Sequence, residues 1–444
     1  MKILLAQTAN YLYSWGGGFK GNRILLEGLT KMGHDCHILT PPFPLGYDEY
    51  LGKLAERGIT PACSSSGLVF EHNGVTAHIA PDSVQMCGQL MRLMRELEPD
   101  RTVVSEDSSY MILAAALETD PARTVYITRT AGNLPFGPDC LVEDPTKAEI
   151  MRKAAGILTV SKYMQNYLKE WGGLESTSIY WPAYGSPPFP LYGDFTRGYV
   201  TLVNPCNIKG LPIFLGLVRK FPEVEFAAVP TWGTEDEGRS VLTGLPNVTI
   251  LQPQEDINKI FAQTRVLLAP SLCPEALGQV VVDAMARGVP VLGSDLGGIP
   301  EAKLGVDYVL PVRQVCYPKH ELKSHAEVIP EQDVGPWEEA LRDLLSSRER
   351  YERVASDSRE AALRFIGGLS FEHFERYFES LTPAGRPSDE AVPGGQSDGL
   401  QERLSQMSPE RRALLALRLG KRGGAGGATD SLPTAAVTRS KAES

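Results

Sequence analysis

A chain of 444 residues is too long for one ordinary hydrophobic core and points to two or three domains. Its formal charge of -10 argues against general nucleic-acid binding, which needs a basic surface to neutralise phosphate. Seven cysteines lie far apart, at 36, 63, 87, 140, 206, 273 and 316, with no CxxC pair, so neither a disulfide framework nor a zinc site is suggested. The opening apolar run is too short for a signal peptide, and no stretch of about 18 apolar residues follows. A reducing, cytoplasmic setting fits.

In chain order, strands are predicted at 2–7, 35–41, 101–106, 124–129 and 156–161, each short and rich in Val, Ile and Thr. Helical patterns lie between them at 22–33, 83–98, 109–118 and 145–155. Such alternation builds βα units on a parallel sheet covered on both faces. The stretch WPAYGSPPFPLYGDFTRG, 181–198, reads as a crossing between domains. Alternation then resumes, with strands at 199–205, 225–230, 247–253, 265–271 and 290–295. The expected class is therefore α/β, with two doubly wound Rossmann-like domains, 1–185 and 199–365, facing a cleft. A helix at 366–382 is expected to return to the first domain. Beyond it are expected a flexible linker, 383–398, an amphipathic helix, 399–422, and a disordered tail, 423–444.

The densest chemistry lies in CPEALGQVVVDAMARGVPVLGSDLGGIPE, Cys273 to Glu301. A helix beginning near Gly278 would aim free N–H groups past the strand at 265–271, a ready anion site, and a glycine there lets a phosphate approach the backbone. Val280, Val281, Ala284, Met285 and Gly288 recur at helical spacing as the buried stripe. Asp283 falls on the other side with Gln279 and Arg287, facing cleft or solvent. Asp283 and Arg287 are also spaced as an ordinary surface ion pair.

This order of strand, PS, three residues, E-x-L-G, acid, AMARGVPV and GGIPE resembles the nucleotide-sugar segment of family-four glycosyltransferases of the GT-B fold. The resemblance implies that Glu275 bonds hydroxyls of the donor sugar, that Leu277 and Gly278 lie beside the donor, and that the second acid holds the nucleotide ribose. That second acid is Asp283 where the family pattern has Glu, so it must come closer or work through water. Glu301 fits the last acid of the pattern. Lys209, in VNPCNIKGLPIF, resembles the family's diphosphate-binding lysine, whereas the arginine usual five residues earlier is Asn204 here. Gly16, Gly17 and Gly18 resemble the Gly-Gly loop that lets the backbone approach donor phosphate and acceptor. TKMGHD resembles the A-x-x-G-H element, with His34 packing at a helix end. Ser161 reads as a helix N-cap. In TVYITRTAGNLPFG there is no histidine where many members carry one, and Arg129 stands as the candidate to bind an anionic acceptor or donor phosphate.

The resemblance implies a glycosyltransferase that moves a sugar from a nucleotide donor, a uridine diphosphate sugar, to a hydroxyl acceptor with retention. Glu275 and Lys209 would be the catalytic pair, with no metal and no other cofactor. Leaving-group charge would be met by Lys209, the helix start near Gly278 and the glycine loop. Two other functions stand beside this one: a sugar-nucleotide epimerase of the same fold, and a GT-B-like binding or docking protein without catalysis, towards which Asn204, Asp283 and the absent histidine point. SPERRALLALRL, 408–419, resembles linker or docking helices of nonribosomal peptide and polyketide synthases. A synthase partner and a membrane-surface contact through 399–422 are equal alternatives there, beside a plainly solvated helix.

Overall fold

The structure is a computed structural model that describes residues 1–13, 16–64, 66–105, 109–234, 236–317 and 328–381. The linker, helix and tail expected at 383–398, 399–422 and 423–444 lie outside the described residues. Among those described, the first sheet holds β1 Lys2–Gln7, β2 Asp35–Thr40, β3 Ala62–Ser64, β4 Gly67–His72, β5 Val75–Ile79, β6 Arg101–Ser105, β7 Thr124–Thr128, β8 Gly156–Thr159 and β9 Thr177–Ser178. Their spatial order is β3-β4-β5-β2-β1-β6-β7-β8-β9. Strands β1, β6 and β7 are buried almost end to end, which is why they read as continuous apolar runs rather than alternating ones.

One edge departs from the parallel expectation, since β4 runs antiparallel to both β3 and β5. The cause is a two-residue turn: Asn73 and Gly74 both sit at positive φ, 50° and 78°, the geometry whose twist matches a tight hairpin.

The second sheet holds β10 Tyr199–Val203, β11 Phe226–Val229, β12 Val248–Ile250, β13 Thr264–Ala269, β14 Val291–Ser294 and β15 Val309–Leu310. All its pairings are parallel, in the order β12-β11-β10-β13-β14-β15. This is the doubly wound order in which the winding reverses between the first and fourth strands, here β10 and β13. Loops leaving the carboxyl ends of such a pair diverge and leave a crevice.

Three helices close the described chain, Gly335–Ser346, Arg348–Gly367 and Glu372–Ser380. The last of them rests on the first sheet's side of the molecule. The ring of Phe374 meets that of Trp181 edge-on at 4.6 Å, Arg101 Nε donates to the Phe378 carbonyl at 2.8 Å, and Glu375 reaches His34 Nε2 at 3.0 Å. His34 thus packs at its helix end, its other ring nitrogen 3.1 Å from the chain's first nitrogen.

Candidate active site

Strand β10 ends in a single 3-10 turn, Asn207–Lys209, before the helix Leu211–Lys220 begins. Gly210 joins them at φ 87°, and a Cβ there would stand 2.1 Å from the Pro270 carbonyl oxygen. The loop after β10 is therefore pressed against the loop after β13, and this contact sets Lys209 beside Glu275. Lys209 Nζ donates to Glu275 Oε1, and Ser271 Oγ donates to the same oxygen at 2.8 Å. Both side chains are largely covered, 18% and 22% exposed. Burial alone would raise the Glu275 carboxyl, but the Lys209 ammonium and the Ser271 hydroxyl outweigh it and hold it below the usual carboxylate range. Burial likewise works against the Lys209 charge, and Glu275 more than restores it, leaving the ammonium raised.

The pair opens onto a cleft of about 660 Å³ between the two halves. Gly16, Gly17, Gly18, Arg129, Asn204, Lys209, Glu275, Leu277, Gly278 and Asp283, the residues singled out from the sequence for donor, acceptor or catalytic work, all line it. Two helices start at this cleft from opposite sides, Gly17–Lys31 in the first half and Gln279–Ala286 in the second. They approach so closely that a Cβ on Gly17 would stand 2.5 Å from Gln279 Oε1. The first N–H groups of a helix lack the acceptor one turn earlier that later ones have, so two helix starts at one cleft suit it to phosphate oxygens.

Several of these side chains are used differently from the expectation. Gly278, at φ 85°, caps the second helix, and a Cβ there would strike Ile299 Cδ1 at 2.5 Å. Backbone conformation and the Ile299 contact thus require glycine without any appeal to phosphate. Asn204 sits at φ 61°, a conformation Asn tolerates better than most residues, and its Oδ1 accepts from the Gly233 N–H at 3.0 Å. It fixes a neighbouring loop and supplies no charge. Arg129 is buried, donates to Asn22 Oδ1 and lies 4.2 Å from the Trp181 ring, so much of its bonding capacity is met before any acceptor arrives.

The Asp283–Arg287 pair is not on the surface. Arg287 is only 4% exposed, and its Nη1 meets Asp283 Oδ1 at 3.1 Å while its Nε reaches Asn258 Oδ1 at 2.6 Å. Burial pushes the Asp283 carboxyl up to about 6, against the opposing charges of Arg287 and Lys20. A carboxyl that accepts hydrogen bonds from ribose hydroxyls, the role the resemblance implies for Asp283, works ionised. Donor kcat/KM is therefore expected to fall as pH drops through about 6 and to level off above it. In Asp283→Asn that acid limb should vanish; a limb left in place contradicts the role.

Glu301 is not in the cleft lining. Its carboxylate caps the helix Lys162–Gly172 of the first half, accepting the Lys162 and Tyr163 N–H groups at 2.9 Å each and the Tyr180 hydroxyl at 2.6 Å. Ser161 caps the same helix through the Met164 N–H at 3.1 Å, and its hydroxyl donates to the Ala276 carbonyl. The halves are thus pinned beside the cleft by groups on either side of Glu275. Ser271, of the PS pair, and Gln279, expected on the side of Asp283, line it too, together with two residues that the sequence did not mark, Trp232 and Lys20. Nothing in the local spacing of those two could have marked them. Among the described residues, no group of three or more His, Cys, Asp or Glu side chains is arranged to hold a metal ion.

Two Rossmann-like halves with a nucleotide-sized cleft between them define the GT-B class. Sucrose-phosphate synthase from Thermosynechococcus elongatus shares this architecture, with a TM-score of 0.62, 14% identity, and coverage of 86% of this chain and 98% of that one. Anabaena HepE, solved in complex with UDP and glucose, superposes with a TM-score of 0.57 at 16% identity, covering 86% of this chain and 100% of that one. Residues 198–346 match the family model described as glycosyl transferases group 1. Over that segment the chain is similar to the family-four glycosyltransferases, in agreement with the GT-B fold of the whole. Sulfoquinovosyl transferase SQD2 of Arabidopsis thaliana is 28% identical over 158 residues, 35% of this chain and 28% of that protein. The chain spans less than half the length of the curated relatives it matches.

Proposed function

We propose that the cleft transfers a sugar from a nucleoside diphosphate sugar, with UDP as the nucleotide, to a hydroxyl acceptor. The observation that carries this is the Lys209–Glu275 pair at the winding reversal of the second sheet, opening on a cleft of about 660 Å³ that two helix starts flank. The presence of UDP and glucose in the HepE structure supports the choice of donor. In the transfer, the bond from the anomeric carbon to the diphosphate oxygen breaks and its electron pair leaves with the diphosphate. The acceptor oxygen bonds the same carbon from the same face, with retention, and its proton passes to the departing diphosphate. Lys209 and the helix N–H groups meet the charge that grows on the leaving oxygen, so the chemistry calls for no cofactor. Glu275 holds the sugar hydroxyls and Asp283 the ribose. No described helix is long and apolar enough to cross a membrane, and a cytoplasmic setting is part of the same proposal.

One observation favours a second function, a donor-binding protein without turnover: Asn204 is tied to Gly233 and adds no cation. A thermal-shift panel of nucleoside diphosphates and their sugars, followed by measurement of diphosphate release with added acceptors, separates the two. A ligand at a hundred times its Kd should stabilise the fold by about 2.7 kcal/mol. Stabilisation with release supports transfer, and stabilisation without release supports the binding protein. No stabilisation by any diphosphate overturns both.

A further inference from the structure

The cleft is electrically balanced before any ligand enters. Among the described residues its lining carries the cations Lys20, Arg129 and Lys209 and the acids Glu255, Glu275 and Asp283. Each acid is already paired: Glu255 with Arg57 at 2.6 Å, Glu275 with Lys209, and Asp283 with Arg287 at 3.1 Å. Arg129 is engaged by Asn22 and Trp181. Lys20 is exposed in the first turn of the helix Gly17–Lys31, and its ammonium makes no hydrogen bond or ion pair among the described residues. Its charge is nonetheless felt across the cleft at Asp283, where it helps hold that carboxyl down. A diphosphate brings more negative charge than a single ammonium, itself shared with Glu275, can offset.

We infer that Lys20 is a donor-binding residue that grips the phosphate next to the ribose, while Lys209 grips the phosphate next to the transferred sugar. The division follows from position and rests on the function proposed above. Lys20 and Asp283, assigned to the ribose, line the same cleft on two helices whose starts meet at Gly17 and Gln279, and the phosphate attached to a ribose is the next group along the donor. Glu275, assigned to the sugar, is bonded to Lys209. The two ammonium groups come from opposite halves, so a bound donor ties the halves together. No bond in the donor is made or broken by Lys20.

The test compares nucleoside, nucleoside monophosphate and nucleoside diphosphate binding, run for uridine, adenosine and guanosine by calorimetry on the wild type, Lys20→Ala, Lys20→Arg and Lys209→Ala. In Lys20→Ala, monophosphate and diphosphate affinity should both fall by about tenfold to a hundredfold, the weight of a charged hydrogen bond, with nucleoside affinity unchanged. Lys20→Arg should keep most of the affinity. Lys209→Ala should weaken the diphosphate and spare the monophosphate. If the wild type binds diphosphates and Lys20→Ala binds mono- and diphosphates as well as the wild type, the inference is overturned and the function proposed above survives. Equal loss for the bare nucleoside overturns it too, because the effect would then be structural. A wild type that binds no diphosphate of any base removes the donor site itself, and the inference falls with it.

Discussion

Replacing Lys209 with alanine is expected to lower kcat by a factor on the order of 10²–10³, while diphosphate Kd rises by only about tenfold. The ammonium has three N–H donors. One is held by Glu275, which leaves others to face the cleft. In the intact donor the diphosphate already carries charge, so part of the interaction is uniform binding. As the glycosidic bond breaks, further charge builds on the oxygen nearest the sugar, and only the donors already aimed there gain from it. Rate should therefore suffer more than binding. A complication comes from Glu275, whose main counter-charge is Lys209. Without the ammonium, a covered carboxylate is left with the Ser271 hydroxyl, and the fold should lose stability for a reason unconnected with transfer. The double variant Lys209→Ala/Glu275→Gln removes that second effect. Its denaturation midpoint should recover relative to Lys209→Ala, and its diphosphate release should not. An unaltered kcat in Lys209→Ala would end the assignment.

The two Rossmann-like halves were legible because a parallel strand covered on both faces must be a short, unbroken apolar run. RVLLAPS and TVYITR are such runs. The start of the cleft helix at Gly278 was legible from glycine and proline punctuation. The hairpin of β4 and β5 was also written in the sequence, as Asn73-Gly74, but Glu71, His72 and His78 break its apolar pattern and hide the strands around the turn. What local spacing cannot carry is tertiary reach. Glu301 closes a helix whose N–H groups belong to Lys162 and Tyr163, and no pattern within the GGIPE turn foretells that partner. Asn204 takes a left-handed conformation because the loop at Gly233 meets its amide, not because of its neighbours in sequence. The Asp283–Arg287 spacing suggested a solvated pair. It is buried because the Arg287 guanidinium lies over Phe189 and Phe261, at 5.3 and 5.5 Å, residues distant in the chain.

Lys303 offers the largest expected gain in stability. It follows directly on the short helix Ile299–Ala302, is 0% exposed, and its ammonium donates to the Val291 carbonyl at 2.5 Å. Burial drives its pKa down to about 7, with Asp307 opposing the shift only in part. The unfolded chain keeps the proton to about 10.5. Between those values the unfolded state binds more protons than the folded one, so stability rises with pH across that window, and the full cost of the buried charge is present below about 7. Lys303→Met keeps the unbranched stem and removes the charge. At pH 6–7 the variant should be more stable than the wild type by about 2–4 kcal/mol, a gain that shrinks towards zero as pH approaches 10. Urea midpoints for both chains at pH 6, 7, 9 and 10 would show it, since the other titrating groups cancel in the difference. The same turn carries Glu301, which holds the first half, and Ile299, which packs on Gly278, so donor affinity should be unchanged only if both stay in place. A variant less stable than the wild type at pH 6, or a gain that does not shrink with rising pH, would show that the lysine is held as a charge by partners that outweigh its burial.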